Sequence, residues 1–433
     1  MDAWNARTLL GFYQNVLREQ ILPFWLPRCL DAEHGGFYNC FDNTGKTLVS
    51  RDKYTWSQGR FVWIWAKLSV MQGNTFTKRE KQTFLQLAES GSAFLRQHCL
   101  MGNDDWRCVF LMDETGAPKR PTGFDQLDAS IYADCFAAAS FAQYACAAQD
   151  RDAWVFCRRL YDSIWERVRS GRFHTMPYPL SPEYRAHGIP MILTNLCCEV
   201  YRAAQRFEPE RCSQLCAQMR GSCTDVLEHF TDADDILHEV ITQDQQFIDS
   251  LLGQHINPGH ILEDLWFMLD AMELLNDRTL VPRVAHIAKK TFQLGWDTQW
   301  GGLFHFAGVN GWHPSNESHL ENEPAAQLVR SDWDSKLWWV HAEALYSSLR
   351  LYLETGDETF WQMHRTVGEY TFRTFPNPDS ELREWIQIRD RRGRPMDKVV
   401  ALPVKDPYHI TRSLILMIEA LQAALLNNGQ TEK

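Results

Sequence analysis

Apolar residues recur every three to four positions along most of the chain, the period of helices with one buried face. The pattern predicts helices near 5–28, 56–72, 78–99, 126–148, 152–169, 190–206, 209–230, 259–275, 281–294, 334–354, 358–375 and 408–426. No Pro/Gly/Ser-rich linker and no low-complexity tract divides them, so one domain spanning 1–433 is expected. Short aromatic-rich strand pieces lie between some helices. Three of them, GGFYNCFDNTG (35–45), WRCVFLMDETG (106–116) and EWIQIRDRRG (384–393), end in D-x-x-G, which suits a type I turn with Asp first and Gly fourth. A fourth, GGLFHFAGVNG (301–311), has the strand but lacks the Asp. A repeated unit of helix pair and hairpin suggests a closed ring or a solenoid. The expected fold is all-α: an (α/α)6 barrel of about twelve helices, with short β-hairpins in the connecting loops and a central cavity. An open array satisfies the same helix count.

Composition narrows the function classes. The chain has 433 residues, 45% of them hydrophobic, enough for a large core. The net charge is −11 and no basic run occurs, so neither nucleic acid nor an anionic membrane is an expected partner. The opening MDAWNARTLLGFYQNVLREQ carries acids and reads as a helix rather than a signal peptide. No apolar run is expected to span a membrane, and the expected location is cytoplasmic. Twelve cysteines fall between Cys29 and Cys223, none in a C-x-x-C pair, and read as small buried residues rather than disulfides or zinc ligands. No metal-ligand spacing stands out, and no metal is expected. The 17 Trp, 24 Phe and 13 Tyr help build a core and also suit a cleft that stacks on sugar rings.

Two segments share one design: Asn257-Pro258-Gly259-His260 and Asp406-Pro407-Tyr408-His409. Asn or Asp suits an N-cap and Pro the first helical position, so each histidine falls in the first turn of a helix. The positive end of the helix dipole disfavours imidazolium there. Two neutral imidazoles on converging helices make a two-base site, the equipment for removing a proton from one face of a carbon and returning it to the other. Glu263 follows His260 by three residues, placed to fix its tautomer or to meet a substrate; a carboxylate complementing the dipole is the plainer alternative. Arg412 follows His409 by three and either disfavours its cation, holds an oxyanion or faces solvent. On the helix around 336–345, Trp339 and Glu343 share a face that resembles a sugar subsite, or a satisfied polar pair in a core. Arg60 stands near a helix start, where the dipole does not favour a cation, and is a ligand group or a salt-bridge partner. Gly59 beside it implies close packing or ligand approach. Asn195 is polar on an apolar helix and needs a partner, a ligand hydroxyl or local backbone.

A Walker A loop, a G-x-S-x-G elbow and an H-E-x-x-H pair are all missing from the sequence. The segments DAEHGGFYNCFDNTG, DKYTWSQGRFVWIWAKL, IPMILTNL, NPGHILEDLWF, WDTQWGGLFHF, KLWWVHAEAL, REWIQIRDRRG and PYHITRSLIL, taken in order, resemble the N-acylglucosamine 2-epimerase family. The resemblance implies an (α/α)6 barrel and an isomerase that acts at C2 of an open-chain aldose. It implies His260 and His409 as the acid/base pair, Arg60, Glu263, Glu343 and Arg412 around the sugar, and Met191, Asn195 and Trp339 along the cavity. W-x-Q-G-R, P-M-x-L-x-N-L and W-W-x-H-x-E look most like the N-acylglucosamine branch. That branch usually carries a Gly- and Lys-rich stretch and then H-V-P-R; here the chain reads VVALPVKDPYHITR, with Thr411 in place of the proline. The expected substrate is an N-acyl-D-glucosamine or N-acyl-D-mannosamine. No cofactor is required, and the resemblance allows a nucleotide effector and a homodimer. Alternatives are an aldose–ketose isomerase, a 2-epimerase of a neutral sugar such as cellobiose or mannose, a glycoside hydrolase using Glu263 and Glu343, and a sugar-binding protein on the same barrel.

Overall fold

The computed structural model describes residues 6–311 and 323–431. The first helix, α1 (Ala6–Val16), continues through a π-helical turn (Leu17–Ile21) into a short α2 (Leu22–Trp25). There follow α3 (Thr55–Val70), α4 (Lys78–His98), α5 (Ile131–Ala148), α6 (Arg151–Ser170), α7 (Gly188–Phe207) and α8 (Cys212–Asp225). The second half holds α9 (Pro258–Leu274), α10 (Val281–Gly295), α11 (Pro324–Asp332), α12 (Trp338–Thr355), α13 (Glu358–Thr374) and α14 (Tyr408–Thr431).

The packing partners close a ring. Helix α3 packs on α5, α5 on α7, α7 on α9, α9 on α12, α12 on α14, and α14 back on α3. Outside this ring, α4 covers α3, α6 covers α5, α8 covers α7, α10 covers α9, α13 covers α12 and α1 covers α14. The expected (α/α)6 barrel is therefore present, closed rather than open.

Sequence chemistry sorts the helices into the two rings. In α9, Pro258 through Met272 are buried except His260 and Asp270, because the helix is covered by neighbours on every side. The outer α4 buries only one stripe, with Phe84, Ala88, Phe94 and Leu95, and leaves its charged side chains to solvent. Caps set the ends. Thr77 and Glu80 form a capping box on α4, and Asp150 accepts from the amides of Asp152 and Ala153 at the start of α6. Asn257 accepts from Gly259 and His260 amides at α9, as its position before Pro258 predicts. The apolar stretch Tyr408–Leu426 does reach 19 residues at a mean hydropathy of 1.3, against expectation. It is apolar because α14 belongs to the inner ring.

The hairpin turns repeat as read. Gly45, Gly116 and Gly393 donate their amides to the carbonyls of Asp42, Asp113 and Asp390 at 2.9, 3.1 and 2.9 Å, each with positive φ. Asp232–Asp235 makes the same turn with Asp235 in the left-handed region, and Gly308–Gly311 does so without an acid. Short strands lead into four inner helices: Lys53–Tyr54, Tyr184–Ala186, His255–Ile256 and Lys336–Leu337. Two helices therefore start later than periodicity suggests, at Ile131 and Trp338; Lys336–Leu337 pairs with Ile388–Arg389 instead of coiling. Helix α11 was not expected, since its buried stripe is only Ala326, Val329 and Asp332. All twelve cysteines are free thiols.

Gly59 shows why α3 and α5 lie so close. A Cβ there would sit 2.7 Å from the carbonyl carbon and oxygen of Phe136, so backbone meets backbone. Of the two expectations for this glycine, close packing is the one observed. Gly59→Ala is expected to destabilise the protein by about 1–3 kcal/mol through overpacking. Urea denaturation measures it, and an unchanged midpoint would refute backbone contact as the reason for glycine.

Candidate active site

One cavity is lined by the N-terminal turns of all six inner helices: Trp56 and Arg60 from α3, Tyr132 and Phe136 from α5, Met191 from α7, His260 and Glu263 from α9, Trp339 from α12 and His409 from α14. Its remaining wall is Tyr178 and the segment Val400–Val404 that precedes α14. Trp339 sits between the two predicted bases, its ring centroid 5.2 Å from that of His260 and 5.7 Å from that of His409. Gly259 permits this, because a Cβ there would lie 2.4 Å from the indole. The two Pro-x-His segments thus converge on one indole, although they are far apart in sequence.

Each histidine is held through Nδ1 by a glutamate. His260 Nδ1 is 2.7 Å from Glu239 Oε1, and His409 Nδ1 is 2.8 Å from Glu343 Oε1. A carboxylate accepts, so Nδ1 carries the proton in both rings and Nε2 is left for a substrate. Behind Glu239 lies a buried chain: His187 Nδ1 is 3.5 Å from Glu239 Oε2, and His187 Nε2 is 2.8 Å from Asp264 Oδ2. Burial alone would lower the His187 pKa, but the Asp264 and Glu239 carboxylates prevail and push it up to about 9. Burial likewise opposes ionisation of Glu239, yet His260 and His187 hold its carboxyl well below the usual range. On the other side, burial pushes His409 down to about 3; Glu263 and Asp406 oppose the shift, and the Arg60 and Arg412 cations reinforce it. His409 is therefore a neutral imidazole, as its place at a helix start suggested.

Arg60 projects into the cavity. Its Nη1 donates to Asp406 Oδ2 at 2.8 Å, and its guanidinium lies over Phe136 and Tyr408 with 4.2 and 4.9 Å to the centroids. Asp406 also caps α14, accepting the Tyr408 amide at 2.8 Å, and its Oδ2 is 3.8 Å from His409 Nε2. Arg412 lies deeper. It is 1% exposed and donates through Nη2 to both Glu263 Oε1 and Glu343 Oε1, the latter at 2.8 Å. Glu343 takes a third bond on its other oxygen, from Trp266 Nε1 at 2.8 Å. Glu263, Glu343 and His409 bring ligand atoms within 4.8 Å of one another, a set that could hold a metal ion, but the Arg412 guanidinium already bonds both carboxylates.

Among the residues that the sequence singles out, Arg60, Met191, Glu263, Trp339, His260 and His409 face the cavity. Asn195, Glu343 and Arg412 are buried and do not line it. Glu343 shares its helical face with Trp339 yet bonds Trp266, so the pair is not a sugar subsite. Glu263 does not fix the His260 tautomer; it pairs with Arg412, and Glu239 takes that part. Sequence reading missed Glu239, His187 as its partner, Tyr132 and Tyr178. Glu239 had a signal: it is a lone charge inside the apolar run Ile236–Ile241, next to a residue pair that makes a strand.

Comparison with known proteins agrees with this geometry. A family model described as N-acylglucosamine 2-epimerase (GlcNAc 2-epimerase) matches residues 36–413. The N-acylglucosamine 2-epimerase of Bos taurus is 28% identical over 430 residues, covering 97% of this chain and 94% of the relative. The D-mannose isomerase of Marinomonas mediterranea is 23% identical, covering 94% and 95%. The structure of cellobiose 2-epimerase from Bacillus thermoamylovorans B4167 superposes with a TM-score of 0.75 at 19% identity, covering 95% of this chain and 99% of that one. A model match over most of the length, with both Pro-x-His segments inside it, shows that this chain belongs to the N-acylglucosamine 2-epimerase family.

Proposed function

We propose that this protein is a sugar 2-epimerase that interconverts N-acyl-D-glucosamine and N-acyl-D-mannosamine in their open-chain forms. One observation carries the reading: two imidazoles, each fixed through Nδ1 by its own glutamate, flank one indole in one cavity. Such a pair can address opposite faces of a single carbon.

The chemistry follows from their surroundings. Neutral His409 takes the proton from C2 through Nε2, and the C–H electron pair moves into an enolate on the C1 oxygen. Arg60 is the cavity cation placed to stabilise that oxygen. Negative charge growing there offsets the cations that depress His409 and so raises its basicity as the proton transfers. His260, protonated on Nε2 and backed by the Glu239 carboxylate, delivers a proton to the other face. The reverse reaction exchanges the two parts. The hydrolase alternative loses its acids, since Glu343 is fully buried and both carboxylates are bound to Arg412.

In D₂O, N-acetylmannosamine is expected to acquire deuterium at C2 as N-acetylglucosamine appears in the proton NMR spectrum. Appearance of a ketose instead would make the protein an aldose–ketose isomerase, and exchange with no sugar would refute the proposal. His260→Ala and His409→Ala are each expected to lower turnover by about 10²–10⁴-fold, the scale of general acid–base catalysis.

A second expectation concerns pH. The folded pKa of His409 lies below that of an unfolded histidine, about 6.5. The unfolded chain therefore binds the extra proton first, so stability from this group is present above that value and is lost as pH falls toward 3. Between pH 6 and 4, the wild type should lose up to about 1.4 kcal/mol more per pH unit than His409→Gln. Equal slopes in urea titrations would contradict a neutral His409.

A further inference from the structure

A side chamber opens from the cavity beside His260. It shares Tyr132, Tyr178, His260 and Trp339 with the main cleft and measures about 80 Å³. The main cleft measures about 140 Å³ in the same terms, so the chamber is the smaller annex, suited to a substituent of the sugar. Six apolar side chains form much of its wall: Leu180, Val240, Phe306, Ala325, Leu328 and Val329. Three of them come from α11, the helix inserted between α10 and α12. Ser181 ties the 175–186 segment to that helix, donating from its amide and its hydroxyl to the Glu323 carboxylate. Val240, Phe306 and Val329 belong to a small hydrophobic cluster separate from the barrel core. The apolar wall of the chamber is thus built from segments added to the barrel, while Tyr132, His260 and Trp339 come from the ring.

Among its polar side chains Glu239, His255 and Asn257 each make a hydrogen bond, and His305 is 2% exposed. The ring stacks on Phe306 at 3.8 Å and lies edge-on to Trp339 at 6.2 Å. Its Nδ1 is buried without a hydrogen-bond partner. The backbone amide, by contrast, is satisfied by Ser335 at 3.1 Å. Buried polar groups are normally bonded, and an imidazole left open at the edge of a cavity is a group waiting for a ligand. Burial, with His260 nearby, holds its pKa well below the usual range, so it stays neutral and offers one N–H.

We propose that this chamber is the acyl subsite: it receives the N-acyl group on C2 of the sugar, with the His305 imidazole donating to the acyl oxygen and the six apolar side chains enclosing the alkyl end. The inference rests on the N-acyl sugar reading above. The position argues for the C2 substituent. His260 must reach the hydrogen on C2, and the chamber opens at His260, so the group bonded to that same carbon is the one within reach. The acyl oxygen meets the His305 imidazole, and the alkyl end meets the apolar side chains of the wall, with which a hydroxyl or an ammonium would be mismatched.

The test is acyl-length preference, read as kcat/KM for N-formyl-, N-acetyl- and N-butanoylmannosamine by C2 deuterium exchange. His305→Ala should lower kcat/KM for the acetyl substrate up to about tenfold. Ala325→Phe, which fills the chamber, should lower it about 10–100-fold and spare the formyl substrate. Leu328→Ala, which enlarges it, should raise butanoyl relative to acetyl, a gain that misfolding cannot mimic. If the wild type exchanges C2 of N-acetylmannosamine while all three variants keep its acyl-length profile, the subsite assignment is overturned and the N-acyl reading stands. If the wild type exchanges none of the three, both fall.

Discussion

The catalytic end of the barrel hangs on one buried guanidinium. Arg412, on α14, reaches Glu263 on α9 and Glu343 on α12, so a single side chain joins three inner helices. Two carboxylates and an imidazole would not share this dry space without a cation between them, because taking charges out of water costs several kcal/mol each unless they are paired. Beside Arg412, Glu343 accepts from both His409 and Trp266. Arg412 accordingly ties the glutamate that holds His409 into the ring while remaining out of the cavity.

The two halves of the site are built from different material. His409 is held by a network that belongs wholly to the inner ring. His260 is held by Glu239, which immediately precedes a strand in a connecting segment and pairs, through His187, with Asp264 on the buried side of α9. One imidazole is buried among cations and kept neutral; the other is backed by a carboxylate chain. Two residues of the same type, at equivalent places on equivalent helices, are thereby given unequal chemistry by their neighbours.

Much of this was legible in the sequence because it is local. Asn257 and Asp406 cap as their positions before proline require, the D-x-x-G turns form where written, and twelve amphipathic stretches fold into two rings of six. Gly59 announced a close approach that turned out to be the backbone of α5. What could not be read was which carboxylate serves which histidine. Helical spacing pointed to Glu263 for His260 and to Arg412 and Glu343 as cavity residues. Their partners lie on other helices, and only ring closure decides whether a side chain three residues on faces the cavity or the wall behind it. Helix α11 escaped for a related reason: it covers a small cluster outside the barrel core, so its sequence carries too short a stripe to be seen.

The ring is closed by its last member. Helix α14 carries His409 and Arg412, and its neighbours α1 and α3 precede it by most of the sequence. During synthesis the earlier hairpins emerge and collapse in turn, but the gap between α12 and α3 stays open until α14 has left the ribosome. A chain without α14 therefore has His260 and its carboxylate relay but neither His409 nor the cation that pairs with Glu343. The side chains that face His260 across the cavity therefore come together only when α14 closes the barrel.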